Sequence, residues 1–154
     1  MSWVSGPRRH LSRLAEAARI VTVTQPALTG ALVTQWINDG RAEELLHWRR
    51  RETAARYEIA AKHLAGLNSR GHKAALHIWL TLAAPWRADN FTAAARQSGI
   101  AISPLAPFAV TADDAEQTVR ITLSQPLRRA TLTRALSRLR YILECYPNRP
   151  RAII

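Results

Sequence analysis

The stretch TVRITLSQP, Thr118 to Pro126, alternates residue by residue. In an extended chain Val119, Ile121 and Leu123 fall on one side, and Thr118, Arg120, Thr122 and Ser124 on the other. A period of two is the mark of a half-buried strand. Its polar side carries a lone arginine among small hydroxyls. On a solvated face that arginine means little. On a face that lines a pocket, its guanidinium is a planar fork suited to a carboxylate.

Downstream, Leu132, Leu136, Leu139 and Leu143 recur at helical spacing and predict a closing helix that packs on Val119, Ile121 and Leu123. Upstream, IAISPLAPFAV reads as extended chain broken by Pro104 and Pro107. ADNFTAAARQSG predicts a short helix with Asp89 as its start signal and Gly99 as its stop. ALHIWLTL alternates Leu76, Ile78 and Leu80 against His77, Trp79 and Thr81, another strand. From Ala75 onward the order is strand, helix, strand, strand, helix. That is a small α+β lobe with helices on one face of a sheet.

Ahead of the polar break LNSRGHK the chain reads as helical. A long helix over RAEELLHWRRRETAARYEIAAKHLAG places Leu45, Trp48, Ala55 and Ile59 along one stripe and stops at Gly66. A shorter one begins at Pro26, with Thr24 as a possible cap, and ends at Asn38–Gly40. WVSGPRR predicts a strand end and a turn, with Pro7 near a first helical position and Leu11, Leu14, Ala18 and Val21 following at helical spacing. The expected division is 1–66, helical, and 67–154, the small lobe.

Composition sets further bounds. With 154 residues, 47% of them hydrophobic, the chain supports one domain or two small lobes. The longest apolar stretch, AALHIWLTLAAPW, is interrupted by His77 and Thr81 and is too short to cross a bilayer. The opening MSWVSGPRRHLSRL has no continuous apolar run and predicts no secretory signal. A single cysteine, Cys145, excludes an internal disulfide and fits a reducing cytoplasm. The net charge of +11 is spread evenly, +6 over residues 1–77 and +5 over 78–154, which argues against a basic tail. Arginine supplies 20 of the 22 basic residues, so coding bias accounts for the excess as readily as phosphate binding. Arg49–Arg51 and the series Arg128, Arg129, Arg134, Arg138 and Arg140 read first as solvated helix faces.

No HExxH, cysteine pair, G-x-S-x-G or phosphate-loop motif occurs. The histidines are scattered; His72 and His77 are the closest pair and have no nearby carboxylate, so no metal site is expected. His77 reads as a structural histidine on a strand, and Lys62 and Lys73 as solvated amines. The residues by themselves provide no catalytic set.

Three segments together carry a resemblance: WVSGP leading into a helix, GHKAALHIWLTL, and GIAISPLAPFAV followed by VRITLS and an amphipathic helix. In this order they resemble the closing part of a pyridoxal-phosphate-dependent aminotransferase of fold type I. The variant is the aminotransferase-like domain of the MocR subgroup of GntR-family transcriptional regulators. The match runs from Trp3 to about Ile142. It departs at His72 and Leu105, where the family commonly has glycine. The resemblance implies an α/β (α+β) C-terminal portion of the transferase fold, with a long interdomain helix and a β-α-β-β-α small lobe. It implies pyridoxal 5'-phosphate as the cofactor of the parent family. It assigns Arg120 to the α-carboxylate of an amino acid or similar ligand. Thr24 resembles a position that approaches the neighbouring subunit's cofactor phosphate, although a helix cap is the plainer reading.

The family's Schiff-base lysine, cofactor-binding arginine and aspartate precede the WVSGP-like segment, and its DNA-binding helix-turn-helix lies further upstream. Neither Lys62 nor Lys73 falls at the Schiff-base position. The expectation is therefore a C-terminal piece that does not hold the cofactor or transaminate alone. It would work with an N-terminal part or a homodimer partner, reach DNA only through an upstream domain, and reside in the cytoplasm away from membranes. The alternative readings are a basic nucleic-acid-binding protein and a non-catalytic dimerisation or ligand-sensing module.

Overall fold

The structure is a computed structural model and describes residues 6–21, 27–109 and 116–145. They fall into two compact units, Met1–Trp48 and Arg49–Ile154. The first contains helix α1, Arg8–Val21, helix α2, Ala27–Asn38, and the start of helix α3, Arg41–His63. Pro7 stands just before α1, where its missing N–H costs nothing, and its carbonyl accepts from the His10 N–H at 2.9 Å. Trp3–Ser5 of the WVSGP strand end and the Thr24 and Pro26 positions lie outside the described residues.

The second unit carries strands β1, Ser69–Arg70, and β2, His77–Thr81, then helix α4, Ala88–Gln97. Strand β3, Ser103–Pro104, a 3-10 turn over Ala106–Phe108, strand β4, Thr118–Thr122, and helix α5, Arg129–Cys145, follow. The sheet runs β1-β2-β4-β3, antiparallel throughout. In the central pair Ile78 lies opposite Ile121 and Leu80 opposite Val119, so both alternations point to one face. That face, with Leu82 and Leu123, is buried against Phe91 and Ala95 of α4, Leu132, Leu136, Leu139 and Ile142 of α5, and Ala60 with Leu64 at the end of α3. Each fully buried leucine or isoleucine here contributes roughly 1.5–3 kcal/mol. The order expected from Ala75 onward is the observed one, and the closing helix meets the strand through three of the leucines named for it, Leu132, Leu136 and Leu139.

Four local expectations need correction. In α3, Leu45 and Trp48 are exposed, and the buried stripe is Arg56, Ala60 and Leu64 instead. Arginine reads as polar, yet its long apolar stem lies along the core and only its head needs partners. The polar break contains β1, whose two residues pair with Trp79 and Leu80 through the backbone and so leave no side-chain pattern. On α4 the N-cap is Arg87, without a side-chain cap bond; Asp89 sits inside the first turn, where it complements the helix dipole. On α5 Ile142 takes the fully buried place, and Leu143 is only partly buried.

Gly99 does stop α4, and the reason is conformational. At φ +76° it occupies the left-handed region, its N–H bonding to the Arg96 carbonyl at 2.9 Å and the Ile100 N–H to that of Ala95 at 2.9 Å. This is a Schellman closure, and Ile100 completes it by packing on the core.

Candidate functional site

Strand β4 sets Arg120 on the sheet face away from α5, since its neighbours Val119 and Ile121 are both buried on the helix side. Arg120 is paired in register with Trp79 of β2 on one side and Ser103 of β3 on the other, so its backbone is held from both edges. Its guanidinium carbon lies 4.1 Å from the centroid of the Phe108 ring, a cation–π stack. Phe108 in turn meets the edge of Trp79, centroids 6.1 Å apart and planes at 68°. Nε of Arg120 is buried and has no hydrogen-bond partner among the described residues. An orphaned donor on a charged fork is a costly arrangement unless an acceptor from outside completes it.

A cavity of about 600 Å³ opens at the edge of β4, lined among others by Ser103, Arg120, Gln125, Thr131 and Leu136. Leu136 belongs to the helix-covered face, whereas the strand pleat and the Phe108 stack put the Arg120 fork on the opposite one.

A second arginine anchors the end of the strand. Arg56 of α3 is 8% exposed, and its Nη1 donates to the carbonyls of Leu123 at 2.9 Å and Pro126 at 2.6 Å. Its Nη2 reaches the Leu127 carbonyl at 3.4 Å, and its Nε donates to Oε1 of Glu52 at 2.7 Å. The outer side of Glu52 is held by Arg129 of α5, whose Nη2 donates to Oε2 at 2.6 Å. Hydrogen bonding from Arg129, and then from Arg56, pulls the Glu52 carboxyl down from 4.5 to about 2. The same bond pushes the Arg129 guanidinium above its ordinary value. This network ties α3 to the β4–α5 connection. The Glu52–Arg56 spacing of four was visible in the sequence; the burial of Arg56 was not.

The other candidates disperse. His72 accepts the Ala74 N–H on Nδ1 at 3.2 Å, which orders its own turn. His77 is half-buried on β2 opposite Thr122. Lys62 and Lys73 are exposed, and neither lines the cavity at β4. Among the described residues no cluster of histidine, cysteine or acidic groups is placed to hold a metal ion. Among them, too, no helix is long and apolar enough to cross a membrane. The Phe108 platform was missed at the level of sequence, although a phenylalanine beyond the proline was part of the motif.

An antiparallel four-stranded sheet covered on one face by the end of α3, a short helix and a closing helix has close counterparts. The α-aminoadipate aminotransferase LysN of Thermus thermophilus, complexed with N-(5'-phosphopyridoxyl)-L-leucine, superposes on 90% of this chain with a TM-score of 0.71 at 22% identity. The kynurenine aminotransferase of Pyrococcus horikoshii covers 93% with a TM-score of 0.76 at 14% identity. The fold is that of the C-terminal portion of a PLP-dependent aminotransferase. This aminotransferase-like chain spans 36% of each of those proteins. In sequence it is similar to the uncharacterized HTH-type transcriptional regulator YdeF of Bacillus subtilis (strain 168), 23% identical over 144 residues. That alignment takes in 94% of this chain and 31% of YdeF. No protein-family model matches the chain. An aminotransferase fold together with a regulator as sequence relative bears out the resemblance to the MocR-type domain.

Pyridoxal phosphate is the cofactor this fold implies. Among the described residues, those set against Arg120 (Trp79, Phe108 and Ser103) include no amine, and both lysines of the chain are exposed elsewhere. The described residues do not fit a covalent cofactor pocket.

Proposed function

We propose that this chain forms the substrate-carboxylate wall of an aminotransferase-like ligand domain in a MocR/GntR-type transcriptional regulator. Arg120 receives the α-carboxylate of an amino acid or amino-acid-like ligand. The cofactor's lysine anchor comes from residues outside these 154, in an N-terminal part or a partner subunit, and DNA is reached through a helix-turn-helix likewise outside them. The chain alone does not transaminate.

The observation that supports this reading is the Arg120 fork itself, stacked on Phe108 with Nε buried and lacking an acceptor among the described residues. Two parallel charge-assisted bonds to a carboxylate would satisfy such a group, and a lysine could not reproduce them. The test is calorimetric titration of amino acids into the complete, cofactor-loaded gene product. Arg120→Ala should weaken binding by about ten- to a hundredfold, the equivalent of roughly 1.5–3 kcal/mol, with cofactor content unchanged. Arg120→Lys should recover only part. Equal affinity for all three proteins would reduce Arg120 to a strand residue. In parallel, the 154-residue chain mixed with pyridoxal phosphate should yield no stoichiometric lysine-linked chromophore and no amino-group transfer; a yellow one-to-one adduct with turnover would overturn that part.

A further inference from the structure

Away from the sheet, Arg49, Arg50 and Arg51 on α3 and Lys73 in the turn before β2 line one depression of about 460 Å³, together with Thr53, Ala54 and Ala74. All four cations are exposed, and none has an ion pair or a hydrogen-bonded acceptor among the described residues. No acidic residue lines the depression. The carboxylate next in sequence, Glu52, is withdrawn from it, since both its oxygens are occupied by Arg56 and Arg129. The opposite wall is ordered: the Ala75 N–H bonds to the His72 carbonyl at 2.7 Å and the Ala74 N–H to the His72 ring. Lys73 is thus presented from a fixed turn rather than a loose loop.

From this arrangement we propose that the depression is a binding site for a compact polyphosphate group, such as a pyrophosphate or triphosphate moiety. Four uncompensated charges around one depression, three from α3 and one from the turn before β2, suit closely spaced phosphoryl oxygens, which arginine forks bind in pairs. The volume falls in the range of small-ligand sites. The small lining residues Ala54 and Ala74 leave room for the ligand, and Thr53 adds a hydroxyl. No aromatic side chain lines the site, so a nucleobase would find no stacking platform there and the phosphates must carry recognition. A recessed cluster also differs from the extended basic stripe that tracks a nucleic-acid backbone. This site is independent of the role assigned to Arg120.

The experiment is calorimetric titration of the full chain with tripolyphosphate, pyrophosphate, orthophosphate and a short DNA duplex at physiological salt. One saturable site is expected, with affinity falling in that order of the three phosphates and the duplex bound more weakly than tripolyphosphate. Arg50→Gln combined with Lys73→Gln, one change on each wall, should weaken tripolyphosphate binding at least about tenfold. Arg128→Gln combined with Arg134→Gln removes the same charge from exposed positions at the start of α5 and should leave affinity within about twofold. Lys73→Gln alone, outside any helix, should act in the same direction without touching α3. Equal losses in both double variants, non-saturating heats, or a duplex bound more tightly than tripolyphosphate would each overturn the proposal.

Discussion

Replacing Arg56 by methionine keeps most of the buried volume and removes the charged head, so it isolates the polar network from cavity effects. In the native protein that head makes bonds of 2.6–2.9 Å to two carbonyls and to Glu52, with a weaker one to Leu127. Breaking a buried charged network from one side costs roughly 3–5 kcal/mol, because the remaining acceptors lose their donors in a poorly hydrated place. Glu52 retains Arg129, which puts the expected loss at the lower end, about 3 kcal/mol. Urea unfolding followed by far-ultraviolet circular dichroism should show the midpoint falling by about 1–3 M, for a denaturant slope of about 1–3 kcal/mol/M. Arg56→Lys should recover part of the loss, since an ammonium reaches fewer of the three carbonyls at once. Arg129→Ala, at an exposed position, should shift the midpoint far less than Arg56→Met. A midpoint for Arg56→Met within about 0.2 M of the wild type would refute the view that this arginine holds the β4–α5 connection.

Leu136→Ala, at the centre of α5 and fully buried, should cost about 2–5 kcal/mol, measured by the same urea titration. Gly71→Ala places a methyl 2.9 Å from Cγ1 of Ile78 and 3.1 Å from the Tyr57 ring; overpacking of this kind should destabilise by about 1–3 kcal/mol, seen as a lowered thermal midpoint. The acid limb of stability should carry the signature of Glu52. Its carboxyl is held at about 2 against 4.5 when free, so its contribution is complete above about pH 4.5 and is lost as the pH falls toward 2. Glu52→Gln should flatten that part of the profile, and an unchanged acid limb would contradict the assignment.

The strand Thr118–Thr122 and the helix that closes on it were legible because each buries one face, and burial writes a period into the sequence. The same holds for His77–Thr81. Elsewhere the determinants leave no period. β1 is only two residues long and joins the sheet by backbone bonds, to which side-chain identity is nearly indifferent. Arg56 takes a core position that composition would deny it, while Leu45 and Trp48, apolar by type, stay exposed. Arg120 stood out as a lone fork on a polar strand face. The ring that supports it, twelve positions earlier and past a proline turn, becomes a partner only once β3 and β4 pair.

The sheet ends in β1 on one side and β3 on the other, each just two residues long. An incoming strand from another molecule finds almost no ladder to extend, and on the β3 side Pro104 has no N–H to offer. The sheet of the described residues therefore carries its own safeguard against edge-to-edge polymerisation. Their shortness disfavours self-association through these strands, and on the β1 side the exposed Arg70 adds a charge to the edge. Among the described residues, contacts at these two edges are therefore left to side chains, which a single substitution can tune.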